Sequence, residues 1–495
     1  MKKNDEFELE ITDCSDEGAG IGKADGFTWF VKDAVIGDRV LVGVTKLKKN
    51  YGFARVLRVL RPSKDRVEPA CPIARQCGGC QLQALSYAAQ LQFKQNKVLG
   101  CLRRIGGFSL EEMEAAGTLE IAPIIGMESP YRSRNKAQFP VGEDRNGKLV
   151  AGFYAGRTHS IIPCRDCLLG CEENQPVLDC VLSWMEAFGV SAYQETAGSG
   201  IVRHILIRKA HYTAEMMVCL VVNARKLPHA AELVERLLAL PAVKITSISY
   251  CINQERTNVI MGTELRELYG PGYITDEIHR PGSTEGLSFQ ISPLSFYQVN
   301  PVQMEKLYAT ALSFAQLDGS ETVWDLYCGI GTISLFLAKS ARKVYGVEII
   351  PQAIENAREN AVRNGISNAE FFVGKAEEVL PAWYENQCKE QRDGSAGAEE
   401  KNEQGASCAS AHGVDVIVVD PPRKGCDKAC LETMLKIRPK RIVYVSCDCS
   451  TLARDLKILC DGGYALRKVQ VVDQFAFSVH VEVVIQMTYC GDKRK

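Results

Sequence analysis

Apolar and polar positions alternate along the first sixty residues, through "FELEITDC", "GAGIGKADGFTWFV", "DRVLVGVTKL" and "FARVLRVL", with glycine-rich connections between runs. Period-two alternation puts every second side chain on one face. The pattern therefore predicts short strands curled into a small β-barrel over residues 1–62. Pro62 and Pro69 punctuate its exit. Residues 81–105 ("QLQALSYAAQLQFKQNKVLGCLRRI") switch to helical spacing. Strands such as "KAQFPVG", "IVRHILIR" and "EMMVCLVVN" follow, with one helix, "AAELVERLLAL", and predict a central α+β domain over 63–285.

From residue 286 the pattern changes again. "ETVWDLYCGIG" leads into "TISLFLAKSA", and "KVYGVEI" into "PQAIENARENAVRNG". "AEFFVG" and "DVIVVDPPRKG" come next, then "RIVYVSC" ahead of "STLARDLKILCDGG" and a closing pair of strands. Short apolar strands joined by amphipathic helices predict a doubly wound, Rossmann-like α/β domain over 286–495. Residues 386–413 interrupt it with Gly, Ser, Ala, Glu and Lys, and with Cys388 and Cys408 the main apolar exceptions. They bury too little to offset the entropy of ordering, and a disordered surface insertion is expected.

The 495 residues, 46% hydrophobic and 24% charged, fit a soluble chain of several domains. The start "MKKNDEFELE" has no apolar leader and no run reaches eighteen apolar residues, so a cytoplasmic protein without a membrane span is expected. In a reducing compartment, twenty cysteines point to metal or catalytic roles wherever they cluster. The net charge of −1 says nothing about partners, but residues 46–66 hold eight Lys/Arg against one Asp. Tyr51 and Phe53 lie among those charges, a mixture that suits RNA phosphates and bases as well as a solvated basic face. "YRSRNKAQF" adds Arg132, Arg134 and Lys136, and with Arg203 and Arg208 these are candidates for lining an RNA path.

"CPIARQCGGC" sets Cys71, Cys77 and Cys80 in C-x5-C-x2-C spacing. Three thiolates invite a fourth ligand, for zinc or for a 4Fe–4S cluster, and "CRDCLLGC" offers Cys164, Cys167 and Cys171. In "DLYCGIGTISL", Gly329 and Gly331 let a ligand approach the backbone, and Glu348 ends the next strand nineteen residues after Gly329. That spacing places an acid on two ribose hydroxyls. The last glycine of the pyrophosphate fingerprint is missing, which favours S-adenosylmethionine over NAD. Asp420 ends "DVIVVD" before Pro421 and Pro422, while Arg423 stands where amine methyltransferases carry a stacking aromatic.

Cys447 ends "RIVYVSC" just before a helix whose N-terminus favours thiolate, with Cys449 as a rival. In "FSVHVEVVI", Phe477, Val479, Val481 and Val483 share one face of an expected strand, leaving Ser478, His480 and Glu482 on the other. A carboxylate among valines is costly unless paired or working; a structural salt bridge is the other reading. A thiol, a desolvated carboxylate and a methyl donor suit carbon 5 of a pyrimidine, which becomes nucleophilic once a thiolate adds to carbon 6.

In this order, "FYQVNP" (296–301), "DLYCGIGTISL", "GVE", "DPPRKG", "YVSCDCST" and "HVE" resemble the bacterial RNA uracil-5-methyltransferase family over nearly the whole chain. The barrel resembles a TRAM domain, the OB-like RNA-binding module of the ribosomal RNA members. The resemblance implies that Gln298, Tyr327, Glu348 and Asp420 contact S-adenosylmethionine, that Cys447 is the nucleophile and that Glu482 accepts the proton. It also implies a 4Fe–4S cluster on Cys71, Cys77, Cys80 and Cys167, the last set in register by Leu168 and Leu169. The transfer-RNA branch generally lacks the barrel and the cysteines, so 23S rRNA is favoured as partner over tRNA; no obligate protein partner is implied. Asp448 and Cys449 depart from the Asn-Pro of many members, and the 386–413 insertion is atypical. A radical S-adenosylmethionine enzyme expects C-x3-C-x2-C, and a cytosine-5-methyltransferase expects Pro-Cys; neither is present. A non-catalytic RNA-binding iron–sulfur protein leaves the C-terminal motifs idle.

Overall fold

The computed structural model describes residues 1–156, 158–394 and 413–491. Six strands, Glu6–Glu10, Asp13–Cys14, Gly20–Ala24, Phe27–Lys32, Arg39–Leu47 and Tyr51–Arg61, form one curled sheet. Its inward positions hold Trp29, Val31, Val40 and Val42, all fully buried. Gly52 is where the indole passes: a Cβ there would lie 2.3 Å from the Trp29 ring. The outward positions of the paired Phe27–Lys32 and Tyr51–Arg61 strands bring Phe30, Tyr51 and Phe53 together, with ring centroids 5.6–5.7 Å apart.

The central unit is a seven-stranded sheet running from the Ile161–Pro163 edge to Glu264–Tyr269. Two helices cover it where one was expected. Besides Ala230–Leu238 there is Asn174–Phe188, which buries Val177, Leu178, Val181, Leu182 and Met185 at helical spacing.

The C-terminal sheet has eight strands in the order Ala369–Val373, Lys343–Glu348, Thr322–Leu326, Val416–Val419, Arg441–Ser446, Glu482–Tyr489, Tyr464–Val472 and Glu120–Ile125. The first five run parallel, and Glu482–Tyr489 is antiparallel to its neighbours. Apolar cores on both faces agree with the doubly wound expectation.

Two expected boundaries differ from the structure. Glu120–Ile125 adds a parallel edge strand to the C-terminal sheet, and the helix Tyr87–Arg104 buries Val98, Cys101 and Leu102 in the same core as the helix Cys449–Asp461. Residues 87–125 thus pack with the C-terminal unit. The expected break at 285 falls inside a hairpin, Ile274–His279 with Gly286–Ile291, whose apolar side joins that unit too. The helix Ala376–Gly394 carries the chain into the 386–413 segment, and the rest of that expected insertion, from 395 to 412, lies outside the described residues. No described helix is long and apolar enough to cross a membrane.

Candidate active site

In a parallel sheet, strands that share a direction end on one edge, where loops build a site. Here that edge carries Tyr327 after Thr322–Leu326, Glu348 at the end of its strand, Asp420 after Val416–Val419 and Cys447 after Arg441–Ser446. Glu482 joins them because it opens an antiparallel strand.

The turn after Thr322–Leu326 is tightly built. Tyr327 N and Cys328 N donate to Val347 O at 2.9 and 3.0 Å, and Tyr327, Gly329 and Gly331 take positive φ of 71°, 55° and 83°. A Cβ on Gly329 would face open space, so the backbone there is open to a ligand. Glu348 is fixed beside it: its Oε2 accepts from Gly329 N (3.3 Å) and its Oε1 from Ile350 N (3.0 Å).

Beneath lies Asp325, a residue not singled out from the sequence. Its Oδ2 accepts from the Ser334 hydroxyl at 2.5 Å, its Oδ1 has no partner, and burial pushes its carboxyl up to about 7. The signal available in the sequence was an acid inside an apolar strand directly before a glycine turn. Tyr327 turns its ring into the apolar layer, where burial and then Cys430 and Cys426 raise its hydroxyl. Gln298 is buried and ties two elements together. Its Oε1 accepts from Gln474 Nε2 (3.5 Å), which also donates to Asn300 O at the start of the helix Pro301–Ala315.

Cys447 and Glu482 are brought together by register. The ladder pairs Val445 with Val484 and Ser446 with Val483, so the next position sets Cys447 opposite Glu482. Residues so placed have Cα atoms about 4.5–5.5 Å apart. Glu482 is buried and accepts no hydrogen bond among the described residues; burial, then Asp420, pushes its carboxyl well up, and Arg423 offsets part of this. Burial also holds the Asp420 carboxyl up at about 6. Cys447 is half-buried, and burial, Glu482 and Asp420 push its thiol up to about 11.

Burial first, with carboxyls from two other strands adding, pushes this thiol up, against the thiolate bias expected of the helix N-terminus. Asp448 does cap that helix, accepting from Ser450 N and Thr451 N at 3.0 Å. Cys449 is buried and points to Cys101, away from the edge.

The expected strand from Phe477 is a loop instead, and the strand begins at Glu482. Phe477 has φ 61°, its N donates to Gln90 Oε1 (3.0 Å), and its carbonyl accepts from Gln81 N and Leu82 N (2.8 and 2.9 Å). Partners outside the sheet thus take the hydrogen bonds a ladder would have used. Just before it, Asp473 forms a fully buried ion pair with Lys94 at 2.5 Å.

The cysteine-rich segments meet at this same loop. Leu169, Ala476 and Phe477 form one apolar cluster, with Cys80, Tyr87, Tyr131 and Cys167 packed against it. Burial, then the charges of Cys167 and Cys71, raises Cys77; burial raises Cys80, with Cys167 and Cys77 adding to it. Cys77 thus lies near Cys71 and Cys167, and Cys80 near Cys167 and Cys77. Cys164 joins them: burial pushes it up to about 12, with Cys167 and Cys71 adding. Among the described residues, however, no three His, Cys, Asp or Glu side chains converge in metal-holding geometry.

Of the basic candidates, three have structural partners. Arg132 binds Asp166 and Cys167 O, Arg203 binds Asn253 O and Glu255 O, and buried Arg208 binds Ser295 O. Arg132 is thus paired with a carboxylate, while Arg203 and Arg208 direct hydrogen bonds to backbone carbonyls. Arg134 and Lys136 are half-buried and make no side-chain hydrogen bond or ion pair among the described residues.

A doubly wound sheet with an acid after its glycine turn, and with a thiol facing a desolvated carboxyl on the same edge, defines a Rossmann-type transferase. The comparisons narrow this. A profile described as tRNA (Uracil-5-)-methyltransferase matches residues 272–489, and a TRAM domain profile matches 2–57. An uncharacterized RNA methyltransferase of Clostridium tetani is 44% identical over 100% of this chain and 99% of its own. Another, of Halalkalibacterium halodurans, is 47% identical over 98% of this chain and 97% of its own. The crystal structure of Pyrococcus abyssi tRNA (uracil-54, C5)-methyltransferase with S-adenosyl-L-homocysteine is 25% identical, with a TM-score of 0.70 over 97% of this chain and 100% of that one. The chain belongs to the S-adenosylmethionine-dependent RNA uracil-5-methyltransferase family.

Proposed function

We propose that this protein methylates carbon 5 of a uridine in 23S rRNA, with Cys447 as nucleophile and Glu482 as proton acceptor. The observation that carries the reading is a half-buried thiol one step beyond the Ser446–Val483 pair, within reach of the desolvated Glu482 carboxyl, at the edge that also holds Glu348 and Asp420. Gln298, Tyr327, Glu348 and Asp420 are the residues assigned to S-adenosylmethionine, which supplies an electrophilic methyl group when bound. The carboxyl groups of Glu348 and Asp420 stand at the crevice edge, which suits a cationic sulfonium.

The target base leaves its stack to reach a site this recessed. Cys447 Sγ adds to carbon 6 and makes carbon 5 nucleophilic. Once carbon 5 is methylated, Glu482 removes its proton, and the carbon 6–sulfur bond breaks to free Cys447. Desolvation makes Glu482 a stronger base than an exposed glutamate, which this last step needs.

Cys71, Cys77, Cys80 and Cys167 are proposed to hold a 4Fe–4S cluster. The meeting of the two cysteine-rich segments supports it, with Cys80 and Cys167 packed against one apolar cluster, and no step of the methyl transfer runs through it. Anaerobic purification with iron and sulfide analysis tests the assignment; zinc alone would refute it.

Cys447→Ala is expected to abolish 5-methyluridine formation, and Glu482→Gln to accumulate a covalent protein–RNA adduct. An active Cys447→Ala variant ends the reading. A second substrate has specific support: the P. abyssi tRNA enzyme matches 97% of this chain, which necessarily takes in most of the barrel. Mapping 5-methyluridine in ribosomal and transfer RNA, with and without the gene, decides between them.

A further inference from the structure

Two cysteines that the proposed chemistry does not use lie side by side. Cys101, in the last turns of the helix Tyr87–Arg104, has its Sγ 3.1 Å from that of Cys449, the first residue of the helix Cys449–Asp461. This is nearer than the ~3.5–4.0 Å of ordinary non-bonded carbon contact. Both are buried, but the neighbouring Ser450 is exposed, with its hydroxyl 3.8 Å from Cys101 Sγ, so only a thin layer covers the pair.

The two partners also join the two supports of the active site. Through Tyr87, Gln90 and Lys94, the first helix grips the loop that leads into Glu482. Cys449 is two residues from Cys447, on the turn capped by Asp448.

We propose that Cys101 and Cys449 form a redox-sensitive dithiol, and that its oxidation to a disulfide by hydrogen peroxide slows the enzyme reversibly by pulling on the turn that carries Cys447. The inference rests on the assignment of Cys447 as nucleophile. In the first step the Cys101 thiolate attacks the peroxide and the O–O bond breaks. Cys101 becomes a sulfenic acid, and hydroxide leaves. Cys449 gives its proton to that hydroxide, forming water. Its sulfur then displaces hydroxide from the Cys101 sulfur, forming the S–S bond. Two thiols lose two electrons, both taken by the peroxide, and a dithiol reductant reverses the change.

The direction of attack follows from the pair's asymmetry. The hydrogen bond from Cys449 holds the Cys101 thiol below its ordinary range, with Ser450 and Arg104 adding, while the same bond and burial raise Cys449. Bond formation brings the sulfurs together by about 1 Å, to an S–S distance of about 2.0 Å. A shift of that size two residues from a reacting atom is enough to spoil its alignment.

The test uses the full-length protein, treated with graded hydrogen peroxide, trapped by alkylation and mapped by peptide mass spectrometry. RNA methylation and the alkylation rate of Cys447 are followed in parallel. The expected result is a Cys101–Cys449 cross-link at doses that leave Cys447 reduced, with at least a tenfold fall in methylation. Dithiothreitol should reverse both, and Cys101→Ala should keep its activity at the same dose. Absence of the cross-link overturns the proposal, as does a cross-link without loss of activity, or equal loss in Cys101→Ala. Because the cross-link is read without turnover, and Cys447→Ala is assayed separately, failure of this inference is distinguishable from failure of the nucleophile assignment.

Discussion

Replacing Lys94 with methionine tests whether a buried charge pair holds the loop that feeds Glu482 into the site. Lys94 Nζ lies 2.5 Å from Asp473 Oδ1 with both side chains fully buried, and it donates a second bond of 2.8 Å to Phe475 O. Burial pushes the ammonium down, and Asp473 works against that. Methionine keeps the apolar stem and removes the cation, leaving Asp473 with the Tyr87 hydroxyl at 2.8 Å as its side-chain partner. Breaking a buried pair by removing one member costs about 3–5 kcal/mol. At about 1.4 kcal/mol per factor of ten, that becomes a roughly 10²- to 10⁴-fold rise in opening of the loop.

Hydrogen exchange reads this directly, at the Gln81 and Leu82 amides that donate to Phe477 O and at the Phe477 amide bonded to Gln90. Those amides should exchange faster by that factor, while amides of the barrel core stay unchanged. Lys94→Met/Asp473→Asn, with neither charge, should recover most of the loss. Exchange within threefold of wild type in Lys94→Met would refute the argument, because the pair would then contribute nothing to holding the loop.

The remaining expectations concern charge and stacking. With its thiol held up at about 11, Cys447 should be alkylated by iodoacetamide about tenfold faster per pH unit between pH 7 and 10. Asp420→Asn should speed that reaction at pH 8, where Asp420 is ionised, and not at pH 5. Glu482→Gln should be more stable than wild type at pH 7 to 8. The native carboxyl is raised, so its contribution is fully present below the ordinary glutamate range of about 4.3 and is lost as pH rises towards the native value. Melting temperature against pH checks this, and equal slopes for both proteins contradict it. On the barrel, Tyr51→Ala and Phe53→Ala should each weaken RNA binding by about 1–3 kcal/mol if the Phe30–Tyr51–Phe53 group stacks on bases, measured at fixed salt.

The proposed site residues stand out in the sequence because apolar strands that stop abruptly at a polar side chain mark a sheet edge, and Cys447, Asp420 and Glu348 all have that form. What was not legible depends on contacts between distant segments. Nothing in "EIAPII" says that Glu120–Ile125 pairs with a strand some 350 residues later, since an edge strand with a proline looks the same in any domain. The alternation from Phe477 to Val483 does record burial of Val479 and Val481, but burial by a helix and by a sheet leave the same trace. Only the positive φ of Phe477 and its bonds to Gln81, Leu82 and Gln90 show which one acts.

Charge is the harder case. Read locally, Cys447 has a helix N-terminus and no acid close by except Asp448, which is occupied as the cap, so it should ionise easily. Folding buries the thiol and brings Glu482 and Asp420 to it from two other strands, and together these push it up. The same shift bears on catalysis. Burial and the neighbouring carboxyls disfavour ionisation of both the Cys447 thiol and the Glu482 carboxyl. Among the described residues Arg423 lowers both, so a further positive charge in that crevice is expected to shift Cys447 and Glu482 together towards their ionised forms.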